Sequence, residues 1–420
     1  EERRDKKDEQ EEYKLTIKRA GKLTHVYYPF SPLNTMGWKG TLTIWQLNVD
    51  DIRPISCERY HLPPSAHTTF LSRNVVICSF LPRTLEVGDP TALRVPFYHS
   101  NIDYDETIND IWGYAINNNE YALVGTNEGF SVVDITIPEQ PTELFFIEGE
   151  NTIWRDIKTW QNYAYVVCDQ CNDGLLIVDL NDATGETHSF TTDFFEKAHN
   201  IYIDENGYLY AFGGNANGVI ILNLNNNPTN PTYEGINDLF YLHDGMVRGD
   251  TIWGASTSMG EFFVYDVSDK SSPTIISSQP TPGGVTHNCW ISDDGNTLFT
   301  TQEYSGAYIR SYDVSDIYNI EMQDEIQSWS GLTDVIPHNT HVLNNYLINS
   351  YYTDGITIID ASNPNNLIEV GYYDTSPQYE GDGSFGCWGA YPYLESGLIL
   401  ATDRQNGLHI LNTSLDLLND

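Results

Sequence analysis

The sequence predicts an all-β chain dominated by a seven-bladed β-propeller over residues 108–413, and three observations carry that expectation. A glycine, then an apolar strand ending in Asp or Asn, recurs seven times. Each copy follows another strand across a turn bearing Gly, Asn or Asp. The terminal Asp/Asn residues stand 45, 44, 43, 47, 47 and 52 residues apart, the length of four short strands with their turns, and no 3.6-residue apolar period competes.

The regular copies are Gly129-FSVV-Asp134, Gly174-LLIV-Asp179, Gly218-VIIL-Asn223 and Gly355-ITII-Asp360, with looser ones at 260–266, 306–313 and 407–412. Upstream strands read YALVG, YAYVVC, YLYAFG and YLINSYY, and several copies continue into proline turns such as DITIPEQP and DASNPNN. Blade breaks are expected near Asn151, Glu196, Leu239, Gly283, Leu332 and Glu380. Seven copies close a ring without exposed sheet edges.

Four segments are predicted: a charged, disordered stretch at 1–22, a non-repeating β segment at 23–107, the propeller at 108–413 and a tail at 414–420. Charge separates them. Residues 1–107 hold 14 Lys and Arg against 15 Asp and Glu, leaving 7 basic and 44 acidic side chains downstream. A field of about −37 repels nucleic acid and anionic membrane and favours cations or basic partners, and it also keeps a salt-exposed protein soluble. No run of eighteen apolar residues exists, so no transmembrane segment is expected and the chain reads as soluble. Of six cysteines only Cys168 and Cys171 are close, which suits a local disulfide or two free thiols better than a metal site.

Aligning the blades on their first strands places Trp112, Arg155, His199, His243, His287, His338 and Trp388 at one point. Four consecutive copies read His followed by Asn or Asp, with the histidines 44, 44 and 51 residues apart. Innermost strands line a propeller's channel, so these imidazoles are expected near one channel mouth. There they are candidates for a divalent transition metal, with Asp244 as a possible carboxylate and His341 nearby. The plainer alternative has each ring nitrogen bonded to a neighbouring blade's backbone. Arg155, Trp112 and Trp388 would offer a cation and stacking surfaces to a small anionic or glycan ligand.

The series DIWGYAINNNEYALVG, GFSVVDITIPEQP, WRDIK, AHNIYID, HDGMV, THNCWISDDGNTLFTTQE, PHNTHV and FGCWGAYPYLESGLILATDRQNGLHIL resembles the LVIVD-repeat propellers of the choice-of-anchor-B type found on bacterial surfaces. The resemblance implies a secreted or cell-surface propeller and no settled activity. The stretch from FSPLNTMGWKG through YHLPPS to VPFYHSNIDYDE resembles part of the homogentisate 1,2-dioxygenase family, cupin enzymes that use Fe(II). That resemblance implies His99 and Glu106 as iron ligands and His61, near His67, as an acid/base remnant. The family's second histidine ligand has no counterpart before Thr107, so the segment is expected to be a partial cupin-like fold without a complete iron site.

The function expected is a binding or scaffold propeller that engages a protein, glycan or small-molecule ligand at one face, not an enzyme. The alternatives are a metal-dependent oxidoreductase using the histidine ring and an iron dioxygenase remnant whose Fe(II) site is completed from elsewhere. No Ser–His–Asp arrangement, phosphate loop or HExxH motif supports another enzyme class.

Overall fold

The computed structural model describes residues 98–418 apart from 329, 331, 414 and 416, with the side chains of 98, 99 and 216 outside the description. Upstream it describes only the backbone of six strands. The chain divides into two units, Glu1–Leu93 and Arg94–Asp420.

The larger unit is a ring of seven four-stranded antiparallel sheets. Innermost strands are Ile108–Ile116, Trp154–Trp160, Asn200–Ile203, Asp244–Arg248, Thr286–Ile291, Thr340–Leu343 and Cys387–Tyr391, in blades 1 to 7. Each packs against the next and the last against the first. All six expected breaks fall in the connections between blades. A single 3-10 turn, Gly214–Ala216, is the only helical element among the described residues, and no helix is long and apolar enough to cross a membrane.

The repeat signature has a physical cause at both ends. Gly355 has φ +75, and a Cβ there would lie 2.1 Å from the Tyr373 carbonyl oxygen of the outer strand. Only glycine lets the third strand pass that close. At the other end Asp134, Asp179, Asn223, Asp266, Asp313 and Asp360 each accept a hydrogen bond from the amide two residues on, at 2.8–3.0 Å. These Asx turns open the connection to the outer strand. Between the two ends lie strands covered on both faces, such as Leu175–Asp179, while outer strands such as His188–Thr191 are exposed. The cores accordingly straddle blade junctions: Tyr165, Val167 and Leu175 of blade 2 pack with Ile201, Leu209 and Ala211 of blade 3. Each large aliphatic side chain so buried contributes roughly 1.5–3 kcal/mol.

Ring closure departs from the expected boundary. Blade 7 takes its outer strand from Tyr98–Ile102, paired with Gly407–Leu411 through Ile102 opposite Leu408, Asn101 opposite His409 and Tyr98 opposite Leu411. The propeller therefore begins upstream of residue 108. The His99-x-Asn101 motif, read as half of a cupin iron site, lies on this closing strand, and Glu106 accepts a 2.6 Å hydrogen bond from the Glu128 amide in blade 1. A strand that pairs some 300 residues away leaves no local trace of its partner.

The smaller unit contains two three-stranded antiparallel sheets, one over Arg4–Lys7, Gln10–Arg19 and Lys22–Pro29 and one over Thr43–Gln46, Val75–Phe80 and Ala66–Ser72. The first takes in much of the charged stretch expected to be disordered, where Tyr13, Leu15 and Ile17 alternate with polar residues at the strand period. His61 lies outside the described residues, so its acid/base reading does too.

Candidate functional site

The four histidines sit where the chain enters the innermost strands of blades 3 to 6, and the blade rotation brings them together at one end of the ring axis. Ring centroids lie 3.9 Å apart for His199–His243, 4.3 Å for His243–His287 and 4.5 Å for His287–His338, and Trp388 continues the run at 4.3 Å. Successive rings are tilted by 44–50°. They form a curved stack, each leaning on the next.

The partners of the rings differ along the stack. His287 Nδ1 meets the His338 carbonyl at 3.1 Å, and His338 Nδ1 meets the Trp388 carbonyl at 2.6 Å, so each of these rings is held by the backbone of the following blade. His199 Nδ1 instead meets Asp169 Oδ2 at 3.0 Å, while His243 Nδ1 lies 2.9 Å from Asp244 Oδ1 without making a hydrogen bond to it.

The Asn/Asp residue after His199, His243 and His287 ties blades to one another. Asp156 Oδ2 accepts from Asn200 Nδ2 at 2.6 Å and from the Ile201 amide at 2.7 Å. Asn200 Oδ1 accepts from the Gly245 amide and Asn288 Oδ1 from the Thr340 amide, at 3.2 and 3.1 Å. Asn288 Nδ2 donates to Asp244 Oδ2 at 3.3 Å. The sequence reading offered Asp244 to a metal and gave the others no role. Their regular recurrence one residue after the channel position was the signal.

Blade 1 corrects the alignment. Its member of this belt is Asp110, which lines the same small cavity as Asp156, Asn200, Asp244 and Asn339. Trp112, two residues on and facing the same way, belongs to the next layer down the axis. There it meets Tyr391 at 4.8 Å and carries Lys158 Nζ over its ring at 4.3 Å, while His341 stacks near Trp290 at 4.6 Å. Trp112 and His341 are thus separated from the histidine stack. Arg155 is also engaged: its Nε donates to the Thr126 carbonyl at 2.9 Å, a terminal nitrogen donates to the Glu150 carbonyl, and Asp173 lies 3.6 Å away. The cavity among the channel residues is about 20 Å³, room for a water or an ion and far below a sugar ring. Arg155 and Trp388 line this cavity with His199, His287 and His338, whereas Trp112 does not, and its size admits no sugar ring.

Electrostatics divide the stack. Burial opposes protonation of His199, but the Asp169 hydrogen bond and the fields of Asp244, Asp169 and Asp156 prevail and raise its pKa. Burial and the neighbouring imidazole push His243 and His338 well below the ordinary histidine value and His287 to about 4. Burial, with Lys158 beside it, takes His341 to about 3. Asp169 is lowered, mainly by its bond to His199. A raised histidine stabilises the fold fully below its unfolded pKa near 6.5 and ceases to as pH rises through its folded value. A lowered aspartate stabilises above about 3.8 and ceases to as pH falls. The pair thus contributes most between about pH 4 and 6.5. Asp169→Asn is expected to cost about 1–2 kcal/mol at pH 5.5 and clearly less at pH 9, as read by urea unfolding at both.

Two further residues were missed by the sequence reading. Glu303 Oε2 lies 3.5 Å from His287 Nε2, and Tyr352 donates its hydroxyl hydrogen bond to Glu303 Oε1. Neither occupies a recurrent repeat position. The expected proximity of Cys168 and Cys171 is realised as a disulfide, next to Asp169.

Comparison with known proteins agrees with this architecture. The family model of the LVIVD repeat matches residues 154–187, 257–281 and 340–375, in blades 2, 4 and 6. The β-propeller domain of Cps50 (Swd1) from Myceliophteria thermophila superposes over 76% of this chain and all of that one, with TM-score 0.54 and 12% identity, a likeness of fold alone. A Saccharolobus solfataricus protein with a provisional dioxygenase name is 38% identical over 101 residues, 24% of this chain and 26% of that protein. The chain thus spans about a quarter of that relative's length, in accord with the dioxygenase-like fragment read in the N-terminal segment. The ring of seven sheets, with its glycine and Asx-turn signature, is a seven-bladed β-propeller carrying LVIVD repeats.

Proposed function

We propose that this propeller is an extracellular or cell-surface binding protein that receives a basic macromolecular partner across the histidine-bearing end of its ring. The carrying observation is the charge of the connections between blades at that end. Exposed carboxylates stand in six of the seven: Glu150, Glu196, Asp238, Asp334, Glu380 and, between blades 7 and 1, Asp105. Only the connection at 281–285 has none. Acidic side chains held around one opening sum their fields toward an approaching cationic surface. The axis itself has room only for an ion, so a larger ligand is met by the rim. The Cys168–Cys171 disulfide supports an oxidising compartment.

Binding to poly-lysine, followed by fluorescence anisotropy at low and high salt, tests the reading. The combined variant Glu150→Gln, Glu196→Gln, Asp238→Asn, Asp334→Asn is expected to weaken binding about tenfold or more, about 0.35 kcal/mol or more per charge. Neutralising Glu139, Glu186 and Asp316, in turns at the opposite end, is expected to leave it within twofold. Equal losses from the two sets would reduce the rim to ordinary surface charge.

A further inference from the structure

We propose that His287, His338 and Glu303 form a binding site for one divalent transition-metal cation, completed from the solvent side. This goes beyond the rim reading and does not depend on it.

The three donors lie within 4.8 Å of one another. The His287 Nε2 to Glu303 Oε2 separation of 3.5 Å is close to the edge of a tetrahedron, about 3.4 Å when metal–ligand bonds are near 2.1 Å. Tautomer follows from the partners. A carbonyl oxygen only accepts, so His287 and His338 each hold a proton on Nδ1 against the backbone of the next blade. Their Nε2 lone pairs are then free to coordinate. His287 aims its lone pair at a carboxylate oxygen that also only accepts, and two such atoms facing across 3.5 Å call for a cation between them. A second proton on His287 would meet that need only by placing a charge inside a buried stack, between two other imidazoles.

The outer partners are those of a built site. Backbone carbonyls orient both imidazoles, and the Tyr352 hydroxyl holds Glu303 Oε1, leaving Oε2 toward His287. Tyr352 also packs 5.2 Å from the His338 ring. His287 is 2% exposed at its side chain and Glu303 32%, so a fourth ligand would enter past the carboxylate. Two imidazoles and one carboxylate suit Zn²⁺, Co²⁺ or Ni²⁺ and disfavour Ca²⁺ or Mg²⁺, which take oxygen donors. The other trio, His199 with His243 and Asp244, is less suited, because His243 Nδ1 and Asp244 Oδ1 stand 2.9 Å apart, short of the tetrahedral edge, and the Asp244 side chain is 5% exposed, which closes the approach a fourth ligand needs. All four stacked histidines do not converge on one point, so the expected four-histidine ligand set gives way to two histidines and Glu303.

The test uses the full chain, stripped with chelator and without reductant so that Cys168 and Cys171 stay paired, then titrated with Zn²⁺ by calorimetry and with Co²⁺ by visible absorption. Glu303→Gln, at a half-exposed position that leaves the fold intact, is expected to remove one equivalent of Zn²⁺ uptake or weaken it at least a hundredfold, and to abolish the tetrahedral Co²⁺ bands. His287→Asn should do the same. Tyr352→Phe should weaken uptake about tenfold, and His199→Gln should leave it unchanged. Absence of stoichiometric uptake, uptake undiminished in Glu303→Gln, or uptake lost in His199→Gln would each overturn the assignment.

Discussion

A chain beginning at residue 105 is expected to lose the cooperative fold, whereas one beginning at residue 94 keeps it. The eleven residues between the two starts contain Tyr98–Ile102, the outer strand of blade 7. Removing it exposes the whole edge of Gly407–Leu411 and reopens the ring at the blade 7 to blade 1 seam. It also removes Ser100, which bonds to the Pro138 carbonyl in blade 1, and Tyr104, whose hydroxyl lies 3.0 Å from Ser131 Oγ. Ile102 and Tyr104 further pack on the core formed by Ile108, Val124 and Leu408. Such losses exceed about 5 kcal/mol, the lower end of a domain's total stability. Urea unfolding should give the 94–420 chain a single transition at the full-length midpoint and the 105–420 chain a broad, early one with aggregation. Coincident midpoints would show that the closing strand does not hold the ring.

Asp156 carries the second large effect. Its carboxylate is buried and accepts from the Ile157 amide and Lys158 Nζ within blade 2, each at 2.7 Å, and from Asn200 Nδ2 and the Ile201 amide of blade 3. Lys158 is itself buried, so Asp156→Ala strands an ammonium and three neutral donors at once. Breaking one side of such a pair typically costs about 3–5 kcal/mol. Its neighbour Asp110 is held well above the ordinary carboxylate range by burial and by the Asp156 charge, with Lys158 opposing. Burial thus disfavours a charge on Asp110, which makes it a weak substitute for Asp156 as counter-ion. Adding Lys158→Met to Asp156→Ala should recover a good part of the loss, and a denaturant double-mutant cycle measures it. Additive losses would mean that the pair is not the source of the cost.

What the sequence made legible is what each blade repeats for a local physical reason. The glycine before Leu175 or Ile356 is required by a close backbone approach, and the Asp or Asn ending the third strand opens an Asx turn, so both recur at blade spacing. The histidines inherit that spacing, which is why their convergence was readable. Blade 1 was misaligned because Asn109-Asp110, and not Trp112, stands where blade 2 carries Arg155-Asp156: Asp110 accepts from the Ile111 amide at 2.8 Å as Asp156 does from the Ile157 amide at 2.7 Å. Glu303 and Tyr352 were unreadable because they belong to turns of single blades and meet only across the fold. The closing strand was claimed by a resemblance to another fold, and no spacing argument in 108–413 points to it.

Hydrogen–deuterium exchange of the full chain with and without a basic ligand such as poly-lysine tests the binding face most directly. The rim reading predicts protection concentrated in the connections at 149–153, 192–199, 238–243 and 374–386, with the turns at 135–141, 180–187 and 314–320 unchanged. Protection of those opposite turns, or an even spread over both ends of the ring, would contradict it.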